Sequence, residues 1–243
     1  MQIFADYHTH TIYSHGKGTI RENVEAAVKK GLTRIAITDH GPGHLTYGVR
    51  SNKLVQMRKE IDEMKKEYKD IEILLGVEAN LVSLEGDIDV TEKDIELLDI
   101  LLVGFHNGAA PKGLKSAGKL YIRNYVSMLF PFMKRNCAEI NTDAMIKAVN
   151  RYDIDIVTHP GAKIPYNIQR LAEAAAKRGT ALEINSSHGF MSTEYVKIAM
   201  KENVSFVIDS DAHTPGRVGD FAAGICIAQE AGLEPARIIN AVK

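Results

Sequence analysis

Ile3-Phe4-Ala5-Asp6-Tyr7-His8-Thr9-His10 is a short apolar run that breaks into His-x-His within the first ten residues. In an extended chain, side chains two apart point the same way, so His8 and His10 present two imidazoles to one point, as a metal ion requires. The same grammar recurs downstream. Residues 34–40 end on His40, 71–78 on Glu78, 99–106 on His106 and 153–160 on His159-Pro160. Residues 180–185 are trailed by Ser186-Ser187-His188, and residues 204–208 run into Asp209-Ser210-Asp211-Ala212-His213. Seven strands are expected.

Helical segments separate them. Thr19 caps a helix with Ile20, Val24, Ala27 and Val28 at helical spacing, ended by Gly31. Ser51 caps a charged helix to about Lys69 with Leu54, Val55, Met57, Ile61 and Met64 inward. A short helix is expected within residues 88–97. Residues 108–118 read as a Gly/Lys-rich loop, followed by a helix carrying Tyr121, Tyr125, Met128, Leu129 and Phe132 that bends or ends near Pro131. Its aromatic stripe reads as core packing. Thr142 opens the next helix, and one with Ile168 and Leu171 stops at Gly179. Thr193 caps another, residues 218–231 form a terminal helix, and residues 235–242 add a closing helical turn or two.

Strands alternating with such segments are βαβ units, which call for a parallel sheet with right-handed crossovers. Seven in series make a TIM-like α/β barrel, whose strand C-termini and following loops form one functional face. All nine histidines fall on that face.

The bulk numbers are those of an ordinary soluble globular protein. The 243 residues suit one domain over 1–243, and 45% hydrophobic with 25% charged residues excludes disorder and fibre. A net charge of −1 disfavours wrapping of nucleic-acid phosphates. Cys137 and Cys226 form no C-x-x-C pair and read as small core residues. No basic leader with an apolar h-region and no membrane-length apolar run is present, so a cytoplasmic location is expected.

His8, His10, His15, His40, Glu78, His106, His159, Asp211 and His213 thus converge from six strands, too many ligands for one ion. Nitrogen and carboxylate ligands without thiolate suit zinc, with manganese or iron as alternatives. Glu78 and Asp211, having two oxygens each, are the candidate bridging ligands. Paired cations favour in-line displacement at phosphorus by a metal-activated hydroxide, which is phosphoester hydrolysis. His8, His10, Glu78, Asp211 and His213 are the residues expected to carry that chemistry. Lys17, Arg50, Lys115, Lys163 and Arg217 lie in loops of the same face, each able to hold a substrate phosphate but each more simply a solvated charge.

Asp6-Tyr7-His8-Thr9-His10-Thr11, Thr38-Asp39-His40-Gly41, Gly76-Val77-Glu78, His106, Thr158-His159-Pro160-Gly161 and Asp209-Ser210-Asp211-Ala212-His213, in this order, resemble the polymerase and histidinol phosphatase (PHP) family. The resemblance implies a distorted seven-stranded β/α barrel with three divalent metal ions. By position it implies His8, His10, Glu78 and Asp211 on one ion, Glu78 with His106 and His159 on a second, and His15, His40 and His213 on a third. No ligand position is lost, which argues against degenerate, non-catalytic members. The chain looks closest to the small stand-alone phosphatases, with residues 107–136 as an insertion able to form part of the substrate mouth. His44 and His188 match no ligand position.

The expected activity is hydrolysis of a small phosphorylated metabolite, histidinol phosphate being one candidate. The alternative is a phosphodiesterase or nuclease using the same metals, disfavoured by the lack of a basic, aromatic-interleaved groove. A non-catalytic, metal-stabilised partner module is the third reading. Oligomerisation stays open.

Overall fold

The seven apolar runs form seven parallel strands paired in chain order. They are β1 (Ala5–Asp6), β2 (Arg34–Ile37), β3 (Glu72–Asn80), β4 (Ile100–Gly104), β5 (Ile156–Val157), β6 (Ala181–Asn185) and β7 (Phe206–Asp209). Helices α1 (Ile20–Lys29), α2 (Ser51–Glu67) and α3 (Glu92–Ile95) fill the first three crossovers. Between β4 and β5 lie α4 (Leu114–Ser116), a π-helical stretch (Ala117–Ile122), α5 (Arg123–Leu129) and α6 (Lys134–Arg151). Then come α7 (Ile168–Arg178), α8 (Thr193–Ala199) and α9 (Ala222–Ala231). This computed structural model describes residues 1–242, and its architecture is a distorted (β/α)7 TIM-like barrel.

Period-two alternation sorts the strand side chains. Leu101 and Val103 join the large apolar layer between strands and helices, whereas Ile100 and Leu102 join a separate small cluster with Ala5, Ala36 and Val207 in the barrel interior. Large inward side chains such as Ile100 and Leu102 leave some neighbouring positions room for glycine alone. A Cβ on Gly76 would lie 2.6 Å from Ile100 Cγ2 and 2.7 Å from Thr38 Cγ2. One on Gly104 would lie 2.2 Å from Thr158 Oγ1 and 3.3 Å from Glu78 Oε1, so this glycine clears the space for the Thr158 hydroxyl that donates to the carboxylate.

The seam between β7 and β1 is closed by only an isolated parallel bridge, Thr9 to Ala212, with the His10 N–H donating to Ala212 O at 2.8 Å. Side chains supply the rest. The buried Asn240 amide donates to Ala5 O at 2.9 Å and Ile208 O at 2.7 Å and accepts from the Ile208 N–H at 3.1 Å. Asp209 accepts the Tyr7 N–H at 2.8 Å, and Asp6 accepts the Ser210 hydroxyl and the Gly219 N–H.

Several local expectations are corrected. Helix α6 starts at Lys134, and Thr142 lies inside it, its hydroxyl donating back to Ala138 O at 2.6 Å instead of capping. Ser192 rather than Thr193 caps α8, accepting from the Tyr195 N–H. Ser51 is the first residue of α2, not its cap, and Val55 is exposed on the outer side of that helix. The terminal helix begins at Ala222, and of the closing segment only Pro235–Arg237 is helical, as a 3-10 turn. Cys137 is buried as expected, but Cys226 is exposed on α9. The stripe of Tyr125, Met128, Leu129 and Phe132 is not core: all four are exposed, and only Tyr121 packs inward, against Phe105.

Asn240→Ala removes three hydrogen bonds and strands two buried carbonyls at the seam. It should lower unfolding stability by about 3 kcal/mol, measured by urea denaturation beside the surface control Glu234→Ala, which should change little. Equal stability of the two variants would contradict the seam assignment.

Candidate metal centre

Each expected ligand sits at or just after a strand's C-terminal end. Glu78 lies at the centre, 1% exposed, with its two carboxylate oxygens turned to different partners. Oε1 lies 2.9 Å from His159 Nε2 and 3.3 Å from His106 Nε2, and accepts the Thr158 hydroxyl at 2.9 Å. Oε2 lies 2.9 Å from His40 Nδ1, 3.3 Å from His8 Nε2 and 3.7 Å from His10 Nε2. Asp211 Oδ1 is 3.2 Å from His10 Nε2 and 3.6 Å from His8 Nε2.

The contacts of His8, His10 and His40 with Glu78 Oε2 are not hydrogen bonds but match coordination spacings. His8 Nε2 and His10 Nε2 face each other at 3.1 Å. Bonds of about 2.0–2.1 Å to a tetrahedral cation place donors about 3.3 Å apart, and the His8, His10, Glu78 and Asp211 atoms are spaced 3.1–3.7 Å. His10 Nδ1, His15 Nδ1, His40 Nδ1 and Glu78 Oε2 are buried without a hydrogen-bond partner among the described residues. Polar atoms left this way cost free energy unless something else engages them. Nitrogen and oxygen donors aimed inward thus fit divalent cations.

Three groups of donor atoms lie close enough to share an ion: His8, His10 and Asp211; His40, Glu78 and His106; and His10, His15, His40 and His213. His40 belongs to two of them, and His10 likewise. Eight of the nine expected residues fall in these groups, and the ninth, His159, reaches them through Glu78 Oε1 at 2.9 Å. His15 and His213 complete the outer side, their rings 4.8 Å from His40 and 4.4 Å from His10 respectively.

Backbone conformation is bent to this end. His159 and Asp211, with φ of +28° and +50°, are the two non-glycine residues at positive φ among those described. Each costs about 1–3 kcal/mol, tolerated only where surroundings enforce it.

The enforcing residues are ones that reading strand ends overlooks. Glu183, inward on β6 and fully buried, accepts from His8 Nδ1 at 2.6 Å and from the His159 N–H at 2.6 Å. Asn80 Oδ1 accepts from His106 Nδ1 at 2.8 Å, and Asp89 holds Asn80 in turn. In both histidines one nitrogen is committed as donor, leaving Nε2 to face Glu78. Asn185 Nδ2 spans Glu183 and Asp211, and Asp39 ties down Thr11 and Ser14 in the loop that carries His15. The signal for Glu183 was present: a carboxylate at an inward position of a buried strand.

Electrostatics follow from burial and crowding. Burial opposes ionisation of Glu78 and Asp211, but the imidazoles around them, His106 and His8 for Glu78 and His8 and His10 for Asp211, hold both well below the usual carboxylate range. Burial, and neighbouring His213 and His40, push His15 down to about 4. Burial likewise pushes His106 down to about 4, against the pull of Glu78. Burial works against protonation of His8, yet Glu183, Glu78 and Asp211 raise it well above an ordinary imidazole.

Above the ligands opens a cavity of about 290 Å³ lined by His44, Tyr47, Asn107, Lys163 and His188 together with the ligand residues. Of the five loop cations considered from the sequence, Lys163 alone reaches it. His188 Nε2 is 3.3 Å from Asp211 Oδ2, and the His44 ring stacks 5.2 Å from His40.

Fold and site together define a β/α barrel with a candidate metal centre of nitrogen and oxygen donors at the C-terminal ends of its strands. The PHP domain family model matches residues 6–187. The chain belongs to the PHP domain family. It is 32% identical over 256 residues to a protein named "probable phosphatase" of Thermoanaerobacter sp. (strain X514), covering 99% of this chain and 91% of that protein. A "probable phosphatase" of Shewanella baltica (strain OS195) is 32% identical over 255 residues, covering 99% and 87%. Among solved structures, histidinol phosphate phosphatase from Lactococcus lactis, complexed with zinc, L-histidinol and phosphate, superposes with a TM-score of 0.63 at 16% identity, covering 95% and 94%. That likeness is one of fold.

Glu183→Gln keeps the shape but weakens the acceptor that orients His8 and the His159 backbone. It should lower metal affinity about 10–100-fold with an unchanged far-UV spectrum, read by competition with a zinc chelator. Unchanged affinity would remove Glu183 from the positioning role.

Proposed function

We propose that this metal-dependent PHP phosphatase hydrolyses phosphomonoesters of small metabolites, with residues 1–243 acting as one catalytic domain and nine side chains holding three divalent ions. The observation that carries the reading is the Glu78 carboxylate, whose two oxygens face two different sets of imidazoles, His106 with His159 and His8 with His10 and His40. A carboxylate so placed serves two cations at once, and paired cations suit displacement at phosphorus.

His8, His10, Glu78 and Asp211 would hold one ion, Glu78 with His106 and His159 a second, and His15, His40 and His213 a third. When bound, such ions supply positive charge to phosphoryl oxygens and acidify a water, and zinc is favoured by the donor set, with manganese or iron as alternatives. The chain's own contribution is positional. Glu183 and Asn80 fix the tautomers of His8 and His106, Thr158 orients Glu78, and the strained backbones of His159 and Asp211 aim their side chains inward. Lys163 and His44 stand at the cavity mouth to meet a dianionic monoester, and His188 is placed to pass a proton to a leaving alkoxide. A cavity of about 290 Å³ with one lysine suits a compact substrate and offers no track for an anionic strand. The Lactococcus lactis protein, solved with L-histidinol and phosphate, places histidinol phosphate among the substrates to try.

Elemental analysis and two chromogenic substrates test this. Protein as isolated should contain two to three transition-metal ions per chain, and p-nitrophenyl phosphate should turn over much faster than its bis-ester or single-stranded DNA. Chelation should abolish hydrolysis, and zinc or manganese should restore it. A preference for the diester or for DNA would point to the nuclease branch, and full activity without metal would overturn the reading.

A further inference from the structure

The excursion between β4 and α6 is built inside out. Beside the buried Leu120 and the inward-packed Tyr121, its inner side is polar: Ser116 and Ser127 are buried, and the amides of Asn124 and Asn141 exchange hydrogen bonds of 2.7 and 2.9 Å beneath the helix. Its outward face is apolar. Leu114, Ile122, Tyr125, Met128, Leu129 and Phe132 are 62–93% exposed. Of fifteen large apolar side chains exposed among the described residues, seven fall within residues 114–132. A contiguous apolar face of this kind marks a surface that something covers.

Charge decides what covers it. Residues 107–136 contain six Lys and Arg and no Asp or Glu, so with a whole-chain charge of −1 the remainder carries −7. Lys112 is committed to Asp87 at 2.9 Å, but Lys134 and Arg135 stand exposed directly after the apolar run. A second copy meeting this face with its own would set the two basic segments against each other. The other exposed apolar side chains, such as Val28, Val55 and Ile239, come from separate elements and form no receiving patch in sequence. A bilayer with anionic headgroups satisfies both features, taking basic side chains at the headgroups and apolar ones among the acyl chains. At the root of the excursion Leu45, 77% exposed, donates its N–H to Gly108 O at 2.9 Å. No helix among the described residues is long and apolar enough to cross a membrane, so the attachment is peripheral.

We propose that residues 114–135 form a peripheral docking face for anionic lipid bilayers. The full chain is sedimented with vesicles of phosphatidylcholine alone or of phosphatidylcholine with phosphatidylglycerol. Binding is expected to the anionic vesicles only, and to weaken as salt rises. Leu129→Asp/Phe132→Asp and, separately, Lys134→Glu/Arg135→Glu should each reduce the bound fraction at least about 10-fold, with monoesterase rate and far-UV spectrum unchanged. The charge-reversal pair leaves the apolar face intact, so it tests the proposal even if the Asp pair disturbs folding. Failure to bind anionic vesicles, or wild-type binding by the charge-reversal pair, overturns it. So does concentration-dependent self-association in light scattering that Leu129→Asp/Phe132→Asp abolishes, because a second copy then covers the face.

Discussion

A buried carboxylate sets the terms for the rest of this molecule. Glu78, almost fully withdrawn from water at the centre of the barrel mouth, carries a charge that no protein interior accepts uncompensated. Five imidazole nitrogens lie within 3.7 Å of its oxygens, yet Oε2 has no hydrogen-bond partner among the described residues. Full compensation requires cations between the carboxylate and the rings. The same arrangement that makes the site costly suits it to divalent cations.

The fold meets that cost in layers. Inward positions shrink to glycine at Gly76 and Gly104, so strands approach closely and the Thr158 hydroxyl that donates to Glu78 finds room. Around the ligands stands a ring of fixed hydrogen-bonding groups, the acceptors Glu183, Asn80 and Asp39 and the donor Asn185, each tying a ligand or its loop to a neighbouring strand. Seam and site share elements: His8, His10 and Asp211 flank the Thr9–Ala212 bridge, and Asp6 and Asp209 lie one layer below. Burial raises both of these carboxyls, and the nearby Asp6 and Glu183 add to the effect on Asp209, which lies well above the usual range. Strain at His159 and Asp211 is concentrated where ligands are aimed, as expected where geometry matters more than local comfort.

Much of this was legible in the chain, for a physical reason. A β/α barrel puts strand C-termini on one face, so runs ending in His40, Glu78, His106 and His159 announce a shared site without any knowledge of angles. The supporting residues were not legible. Glu183 and Asn80 are ordinary polar interruptions until register reveals that they face His8 and His106. Nor does spacing tell which ions His40 serves, since its ring touches two groups of donors. The stripe of Tyr125, Met128, Leu129 and Phe132 misled because helical period shows that one face is apolar, not which way it turns. There the buried side was filled by Ser and Asn pairing with one another, an alternative that no hydrophobic pattern encodes.

The central claim is that Glu78 holds two cations together, and Glu78→Gln tests it most directly. The substitution preserves size but removes the charge and one of the two acceptor oxygens. Elemental analysis of wild type, Glu78→Gln and the strand-start control Glu72→Gln, with monoesterase rates measured on the same samples, should show at least one ion lost from Glu78→Gln alone. The account predicts with it a rate loss of 10²-fold or more, about 3 kcal/mol in the barrier. A full metal complement and wild-type rate in Glu78→Gln would contradict it.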